Sequence, residues 1–331
     1  GLSPELAKVR DHYAERASES DQSAGLIDPA VAKEVGLPTG IPVAVGAIDA
    51  HLGAVGAGIK PGTLVKIIGT STCDMLVAPQ GKKTPDVPGL CGIVPGSIVP
   101  GMYGIEAGQS AVGDIFNWFT SHLTPEAYTA KGDPHVNLTR DAAKLKPGES
   151  GLLALDWNNG NRSVLTDPLL TGLLVGQTLH TTAPEVYRAL VEATAFGALV
   201  IINRYRECGA TVDEVVNCGG IAEKNAFVMQ IYADVCNVPM KISRSAQTCA
   251  LGAAIFGAVV GGAYKTTEAA QKKMTGVKST VYRPNKKAAK VYAELFALYM
   301  QLHDAFGLPG AQAKLGNVMK DLIAIRDCQR K

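Results

Sequence analysis

Two groups of residues in the first quarter of the sequence have types and spacing that suit chemistry. Asp49 follows the apolar run VAVGAI, so the sequence predicts a carboxylate at the end of a buried strand, where it would either face a cleft or cap the next turn. Further on, IIGTSTC places Gly69 and Thr70 in a turn between two strands. The N–H groups and hydroxyls of this turn could hold phosphate oxygens, although an ordinary hairpin turn has the same composition.

A third group lies on a predicted helix. Glu106 begins the segment EAGQSAVGDIFNWF, whose apolar residues recur at helical spacing, and the helix dipole stabilises an acidic residue at a helix N-terminus. Gly113 and Asn117 lie four residues apart and share one face of this helix. Because glycine destabilises a helix, its presence there indicates that another group approaches the backbone closely.

A pair of glycines follows a later predicted strand. The run EVVNC ends at Cys218, and Gly219 and Gly220 then precede a helical pattern. With no side chain in the way, the backbone of this turn could contact a flat ring. Cys218 itself is expected to be a small buried apolar residue.

A sheet with flanking helices is needed to position these groups. The runs VAVGAID, GTLVKIIGT and STCDMLVA predict an antiparallel meander, and CGIVPG and SIVPGMYGI predict a further strand pair. A helix is expected before Pro147, an irregular loop in LDWNNGNRSVLTDPLLTG, and a helix of about 25 residues from Pro184 to Gly209.

The later part of the sequence follows the pattern of an open α/β sheet. A strand, the glycine turn, a helix from Lys224 to Cys236, the strand PMKIS and an uncharged helix within residues 245–264 form a crossover unit. The uncharged helix is rich in Ala and Gly, opens with polar residues and lacks an aromatic belt, so we expect a buried packing helix and no membrane span. The alternation of apolar and charged residues over 285–306 predicts an outer amphipathic helix.

Composition excludes several classes of protein. The chain has 331 residues, 47% hydrophobic and 19% charged, which is typical of a folded globular protein and excludes disorder. A net charge of +2 without runs of one sign gives no sign of nucleic-acid binding, so a small molecule is the expected partner. Seven cysteines without a C-x-x-C pair favour a reducing cytoplasm over a disulfide framework or a structural zinc site.

Standard catalytic signatures are missing from the sequence. It contains no G-x-x-x-x-G-K-[ST], H-E-x-x-H or G-x-S-x-G, and Gly56, Gly58 and Gly62 approach a G-x-G-x-x-G without matching it. The six histidines do not cluster at ligand spacing, so we expect no metal held by a cage of side chains. The sequence also begins without a signal-peptide pattern and without Met.

The order of the motifs resembles the FGGY family of carbohydrate kinases. GAIDAH, GTST, the helix after an acidic residue, CGGIAEKNAFVMQIYADV and TCALGAAIFGA follow one another as in that family, from about Ala24 onward. The segments VGAIDAHLGAVGAG, IEAGQSAVGDIFNWF, GESGLLALDWNNGNRS and RALVEATAFGALVI are most similar to bacterial members that act on L-ribulose.

The resemblance implies an α/β fold of the RNase H-like, actin-like ATPase type, with a mixed sheet flanked by helices. Residues 1–40 would be the tail of a missing N-terminal sugar-binding domain and its linker, and residues 41–331 the C-terminal nucleotide-binding domain. The D-x-G-T-[ST] phosphate turn that opens the family's first domain does not occur in this sequence.

The resemblance also implies roles for individual residues. Asp49 would be the base that takes the proton of the sugar hydroxyl, and Glu106 would contact the sugar. ATP and Mg²⁺ would be required, with the nucleotide held in three parts: its phosphates by Gly69 and Thr70, its ribose near Gly113 and Asn117, and its adenine by Gly219, Gly220, Ile221 and Asn225.

The implied activity is ATP-dependent phosphorylation of L-ribulose to L-ribulose 5-phosphate, a step of L-arabinose catabolism, with this chain inactive by itself. Its partners would be the sugar, ATP, the N-terminal domain of the same enzyme and, as a further possibility, a second copy of itself; nucleic acid and membranes are not expected. The alternatives are another FGGY kinase, for D-ribulose, xylulose or glycerol, and a non-catalytic nucleotide-binding module.

Overall fold

A computed structural model describes residues 4–9, 12, 17–81, 87–130 and 132–331 of the chain. Its strands are β1 (Ser23–Leu26), β2 (Pro42–Ala44), β3 (Gly62–Ile68), β4 (Thr72–Pro79), β5 (Gly92–Pro95), β6 (Met102–Ala107), β7 (Leu153–Leu155), β8 (Leu173–Val175), β9 (Val212–Cys218), β10 (Met240–Ser243) and β11 (Val277–Tyr282).

The helices are α1 (Pro4–Val9), α2 (Pro29–Val35), α3 (Asp49–Gly56), α4 (Gly113–His122), α5 (Glu126–Thr129), α6 (Pro134–Ala142), α7 (Ala183–Glu207), α8 (Gly220–Lys224), α9 (Ala226–Cys236), α10 (Thr248–Val260), α11 (Thr267–Met274), α12 (Lys286–Gly307) and α13 (Val318–Arg330), with a 3₁₀ turn at Leu315–Asn317. Most lie on the two faces of one central sheet.

The central sheet is mixed and has the strand order β11-β10-β9-β3-β4-β6-β5. β3 pairs in parallel with β9, and β9 pairs in parallel with β10, whereas β4 is antiparallel to both β3 and β6. The predicted α/β sheet, the crossover from β9 to β10 and the strand pair β5–β6 are therefore confirmed.

Alternate residues of the central strands enter two separate apolar cores. Leu64 of β3 and Val215 of β9 face a large core formed with α4, α7, α9 and α12. Their neighbours Val65 and Val216 face a smaller core formed with α3, α10 and α11. This alternation follows from the two-residue period of a strand, and it explains why both faces of the run TLVKII carry apolar residues.

The prediction for Asp49 was wrong in its local structure. The strand of this segment, β2, covers only Pro42–Ala44 and pairs with β1, so it is not part of the predicted meander. Gly46 has a φ of +84° and interrupts the extended run. Asp49 is the first residue of α3, where a carboxylate is favoured by the helix dipole.

The prediction that a helix opens at Glu106 was also wrong. Glu106 lies in β6 and pairs with Met75 of β4, and the helix α4 begins only at Gly113. The expected helix from Lys224 to Cys236 is interrupted at Asn225, whose side chain accepts a hydrogen bond from Val228 N and so begins α9 anew. The long helix was predicted correctly as α7.

The uncharged helix α10 is buried on one side only. Thr248, Gly252, Ile255 and Phe256 are buried, whereas Gly257 on the opposite side is exposed, so the expected packing helix is buried on one face. No helix in the described part of the chain is both long enough and apolar enough to cross a membrane.

A buried polar network crosses the larger core below the end of β3. The Lys66 ammonium donates to Asp74 at 2.8 Å and to Gln109 Oε1 at 2.9 Å. The Gln109 amide donates to Asp156 Oδ2 at 2.7 Å, and the Tyr299 hydroxyl donates to Asp156 Oδ1 at 2.9 Å. The ion pair of Lys66 and Asp74 is thus compensated by hydrogen bonds, which its burial requires.

Candidate active site

Four of the described strands end at the same end of the central sheet. Because β6, β9 and β10 all run parallel to β3, their last residues lie together with that of β3 at what we call the carboxyl edge: Ala107, Cys218, Ser243 and Ile68. In sheets of this kind ligands bind beyond the carboxyl ends of strands whose connections diverge. The connections diverge here, since β3 continues into β4 while β9 continues into α8.

Helix α3 brings Asp49 to the carboxyl edge. Residues 57–61 connect the end of α3 directly to the start of β3, so the helix and the strand run in opposite directions. They lie in contact, because a Cβ placed on Gly53 would be 2.7 Å from Ile67 Cδ1. The exposed Asp49 carboxylate accepts a hydrogen bond of 2.7 Å from Ala50 N.

The turn after β3 is bound to the first residues of α4. The carbonyl of Gly69 accepts a hydrogen bond from Gly113 N at 3.1 Å, and the carbonyl of Thr70 accepts from Val112 N at 2.8 Å and Asp114 N at 3.2 Å. A Cβ on Gly113 would lie 2.5 Å from Gly69 O. Gly113 is therefore required for the close contact between the turn and the helix.

The glycine pair after β9 has two different structural roles. Gly219 has a φ of +96°, and a Cβ there would lie 2.3 Å from Ile68 O, so the backbone of β9 reaches that of β3 closely at this point. A Cβ on Gly220 or on Gly69 would meet no atom within 4 Å. Gly220 and Gly69 therefore leave open space in front of the backbone.

That open space belongs to a cavity of about 710 Å³, which we call the glycine-rich cavity. Six of the predicted nucleotide-binding residues line it: Gly69, Gly113, Asn117, Gly220, Ile221 and Asn225. Apolar side chains form much of the remaining wall: Ile68, Phe116, Val136, Tyr187 and Phe227. Asn225 is held in place by donating to Thr139 Oγ1 at 3.3 Å across the cavity. Cavities of this size and lining are typical of small-molecule sites.

Glu106 lies outside this cavity, between two basic side chains. Its Oε1 accepts a hydrogen bond of 2.5 Å from Arg162 Nη2, and its Oε2 lies 3.2 Å from Nε2 of His51. The hydrogen bond with His51 and the charge of Arg162 hold the pKa of the Glu106 carboxyl below its usual range, although partial burial opposes them. Because His51 lies two residues after Asp49 on α3, this contact makes Glu106 a neighbour of the Asp49 end of α3.

The structure thus separates the predicted residues into two groups at one edge of the sheet. Gly219 and Thr70 adjoin the glycine-rich cavity without lining it, while Asp49 and Glu106 form the second group. Sequence reasoning missed His51 and Arg162, which only tertiary structure brings to Glu106. It also missed the aromatic wall of the cavity, because such residues at helical spacing indicate a core equally well.

Comparison with known proteins identifies the family. The model of the FGGY family of carbohydrate kinases, C-terminal domain, matches residues 64–260. The chain belongs to this family. A ribulokinase of Bacillus licheniformis is 44% identical over 99% of the chain and 60% of its own length. A ribulokinase of Halalkalibacterium halodurans is 46% identical over 94% of the chain and 55% of its own length. The FGGY chain therefore spans little more than half the length of these relatives.

Solved structures confirm the fold class. A xylulose kinase from Lactobacillus acidophilus superimposes with a TM-score of 0.79 at 22% identity, covering 93% of this chain and 61% of its own. A xylulose kinase from Rhodospirillum rubrum superimposes with a TM-score of 0.76 at 26% identity, covering 92% of this chain and 61% of its own. The fold of this FGGY chain is the RNase H-like, actin-like ATPase domain that the sequence motifs indicated.

Proposed function

We propose that this chain is the C-terminal, nucleotide-binding part of a kinase that transfers a phosphoryl group from ATP to the C5 hydroxyl of L-ribulose. The observation that carries the proposal is the glycine-rich cavity at the carboxyl edge, the edge to which α3 also brings Asp49. A kinase of this fold needs a nucleotide pocket and a proton acceptor at one end of one sheet, and the family supplies the reaction class.

The cavity suits ATP in three respects. Gly220 leaves open space for adenine beside apolar side chains such as Ile221 and Phe227. Asn117 on α4 offers an amide to the ribose, and Gly113 lines the cavity one turn before it. Gly69 leaves open space at the end of the cavity formed by β3, where the phosphates would lie.

Asp49 suits the role of general base and of a ligand near Mg²⁺. Its carboxylate is exposed at the N-terminus of α3 and accepts a hydrogen bond from Ala50 N through Oδ1. No other described residue is seen to bond Oδ2, which could accept the proton of the attacking hydroxyl. Mg²⁺ in kinases is held chiefly by phosphate oxygens, water and one or two carboxylates. Asp49 would therefore act on the ion through water, while the ion neutralises charge on the transferred phosphoryl group.

Glu106 suits the sugar. A carboxylate held ionised by His51 and Arg162 is a strong acceptor for the hydroxyls of a polyol. The relatives reported above at 44% and 46% identity are ribulokinases, which favours L-ribulose over the xylulose of the structural neighbours. D-ribulose, xylulose and glycerol remain the alternatives that a substrate panel would separate.

The segment before α3 suits contact with a second domain. Between residues 26 and 48 seven large apolar side chains are exposed: Leu26, Val31, Val35, Leu37, Val43, Val45 and Ile48. Together with the greater length of the relatives, this supports residues 1–40 as the end of an N-terminal sugar-binding domain and residues 41–331 as the nucleotide-binding domain. The free cysteines of the described residues suit a reducing cytoplasm.

Nucleotide binding by the chain itself tests the proposal. Calorimetric titration with a non-hydrolysable ATP analogue should give saturable binding, and Gly220→Val should weaken it at least about tenfold because its side chain would occupy the space assigned to adenine. Gly257→Val is the matched control, since its Cβ also meets no atom within 4 Å but lies away from the cavity, on α10. Equal affinity of the Gly220 and Gly257 variants would overturn the assignment of the cavity to ATP.

A further inference from the structure

We propose that His51 and Arg162 are positioning residues that hold the Glu106 carboxylate in the orientation that receives the sugar, with His51 acting as a positively charged donor. The inference rests on the proposed function, in that Glu106 is taken to contact the sugar. It assigns a role to two further residues, and it predicts that sugar binding depends on pH, which a sugar contact by Glu106 alone does not predict.

Both ring nitrogens of His51 face hydrogen-bond acceptors. Nδ1 lies 2.8 Å from the carbonyl oxygen of Ser97, and Nε2 lies 3.2 Å from Glu106 Oε2. A carbonyl oxygen can only accept, and an ionised carboxylate can only accept as well. A neutral imidazole has one N–H and could satisfy only one of them, whereas the doubly protonated ring satisfies both. The His51 side chain is 10% exposed, so water does not readily replace a lost partner.

Arg162 holds the other oxygen of the same carboxylate. Its Nη2 donates to Glu106 Oε1 at 2.5 Å, and its side chain is fixed in turn by contacts with two thiols, Cys91 at 3.2 Å from Nε and Cys73 at 3.8 Å from Nη1. Each carboxylate oxygen therefore has one cationic donor. Since each oxygen can accept two hydrogen bonds, one position on each remains for a sugar hydroxyl.

The arrangement fixes the direction in which Glu106 points. Its side chain is 22% exposed, which leaves room for a ligand while both oxygens stay bonded. If His51 loses its second proton and keeps its bond to Ser97, the lone pair of Nε2 faces Glu106 Oε2. One end of the carboxylate is then released, and the two positions for the hydroxyls are no longer held together. The expected consequence is weaker sugar binding with unchanged nucleotide binding.

The titratable and charged groups around His51 and Glu106 come from several elements. Glu106 on β6 faces His51 from one side; Arg162 comes from the loop after β7, Cys73 from β4 and Cys91 from the segment before β5. Asp49 lies on the same helix as His51. Partial burial raises the pKa of the Cys73 thiol, so this thiol remains neutral where histidine titrates.

Sugar and ATP KM values measured against pH in the full-length kinase test the inference. The wild type should show a sugar KM that rises towards alkaline pH, with an ATP KM that changes within about twofold. His51→Gln should raise the sugar KM about tenfold or more at about pH 6, because a hydrogen bond to a charged group is lost, and should remove the pH dependence. His180→Gln, which changes an exposed histidine in the loop before α7, is the matched control and should keep the wild-type profile. A sugar KM profile of His51→Gln that coincides with that of the wild type would overturn the inference.

Two further measurements separate this inference from the proposed function. If Glu106 contacts the sugar, Glu106→Gln should raise the sugar KM. An unchanged sugar KM in this variant would overturn both the contact between Glu106 and the sugar and the inference about His51 and Arg162. In the isolated chain, NMR at about pH 6 should show two ring N–H protons of His51, identified by their loss in His51→Gln. A single ring N–H proton on His51 under these conditions would overturn the charged donor while leaving the kinase proposal intact.

Discussion

At the scale of single residues, the exposed carboxylate of Asp49 differs from the buried carboxylates of this structure. Carboxylates such as Asp74 and Glu192 are buried and ion-paired within the described residues, and they contribute to the structure. Asp49 is exposed and accepts a hydrogen bond only from the next residue of its own helix among the contacts of the described part. An exposed carboxylate at a helix N-terminus contributes little to stability, so a large effect of its removal would have to be chemical.

This difference gives a prediction for Asp49→Asn in the full-length kinase. The amide keeps the shape and removes the base, and general-base catalysis contributes about 10²–10⁴ in rate, or roughly 3–5 kcal/mol of barrier. We expect kcat to fall by that factor while the KM values and the melting temperature change little. Thermal denaturation and steady-state kinetics on one preparation provide the check; a kcat within about tenfold of the wild type would falsify the role of base.

At the scale of elements, the packing of α3 on α10 fixes the position of Asp49. A Cβ on Gly252 of α10 would lie 1.9 Å from Leu52 O, and a Cβ on Gly56 of α3 would lie 2.0 Å from Thr248 O. The two helices therefore touch through their backbones, and only glycine permits this distance. The small residues that the sequence shows in both helices are explained by this contact.

Gly252→Ala and Gly257→Ala form a matched pair on α10. Gly252→Ala should destabilise the protein by about 1–3 kcal/mol, because the helices must separate. Gly257→Ala meets no atom within 4 Å and should be neutral or stabilising by up to about 1 kcal/mol, since alanine favours a helix. The free energy of unfolding of both variants, measured with a denaturant, tests this prediction. Equal free energies of unfolding would contradict a backbone contact between α3 and α10.

The extent to which the sequence predicts the structure also depends on the element. The helices α7 and α12 and the strands β9 and β10 follow from periodicity and from the glycine turn, because their signals are local. Asp49 and Glu106 were predicted in the wrong elements, since the choice between strand and helix was decided by pairing with β4 and by Gly46. The cavity residues were found through the order of motifs, but the contact of His51 and Arg162 with Glu106 joins positions more than fifty residues apart, and no local pattern records it.

At the scale of the whole molecule, the proposed nucleotide site and the proposed sugar site differ in how far this chain encloses them. The glycine-rich cavity is enclosed by the chain's own strands and helices, whereas Asp49 and Glu106 lie at the carboxyl edge beside the exposed apolar segment 26–48. The family's D-x-G-T-[ST] turn has no counterpart in the 331 residues. The two activities of the proposed kinase should therefore be separable.

We expect the isolated 331-residue chain to bind the ATP analogue and yet to phosphorylate L-ribulose only at the background rate. Positioning of the two substrates supplies much of the rate of phosphoryl transfer, and under the proposed division into domains the chain alone would not position the sugar. A coupled kinase assay, with the intact mass of the preparation measured in parallel, provides the comparison. Turnover by the chain at a rate near that of the full-length enzyme would show that the sugar site is already complete.

The buried network from Lys66 to Tyr299 links positions that are distant in the sequence and in the fold. Tyr299 on α12, Asp156 after β7 and Gln109 before α4 form one row of hydrogen bonds that ends at Lys66, three residues before the Gly69 turn. Residues that share partners in this way do not contribute independently to stability. The effect of a substitution at Tyr299 will thus depend on which residue occupies position 109, so this row is a source of epistasis when the family's sequences diverge.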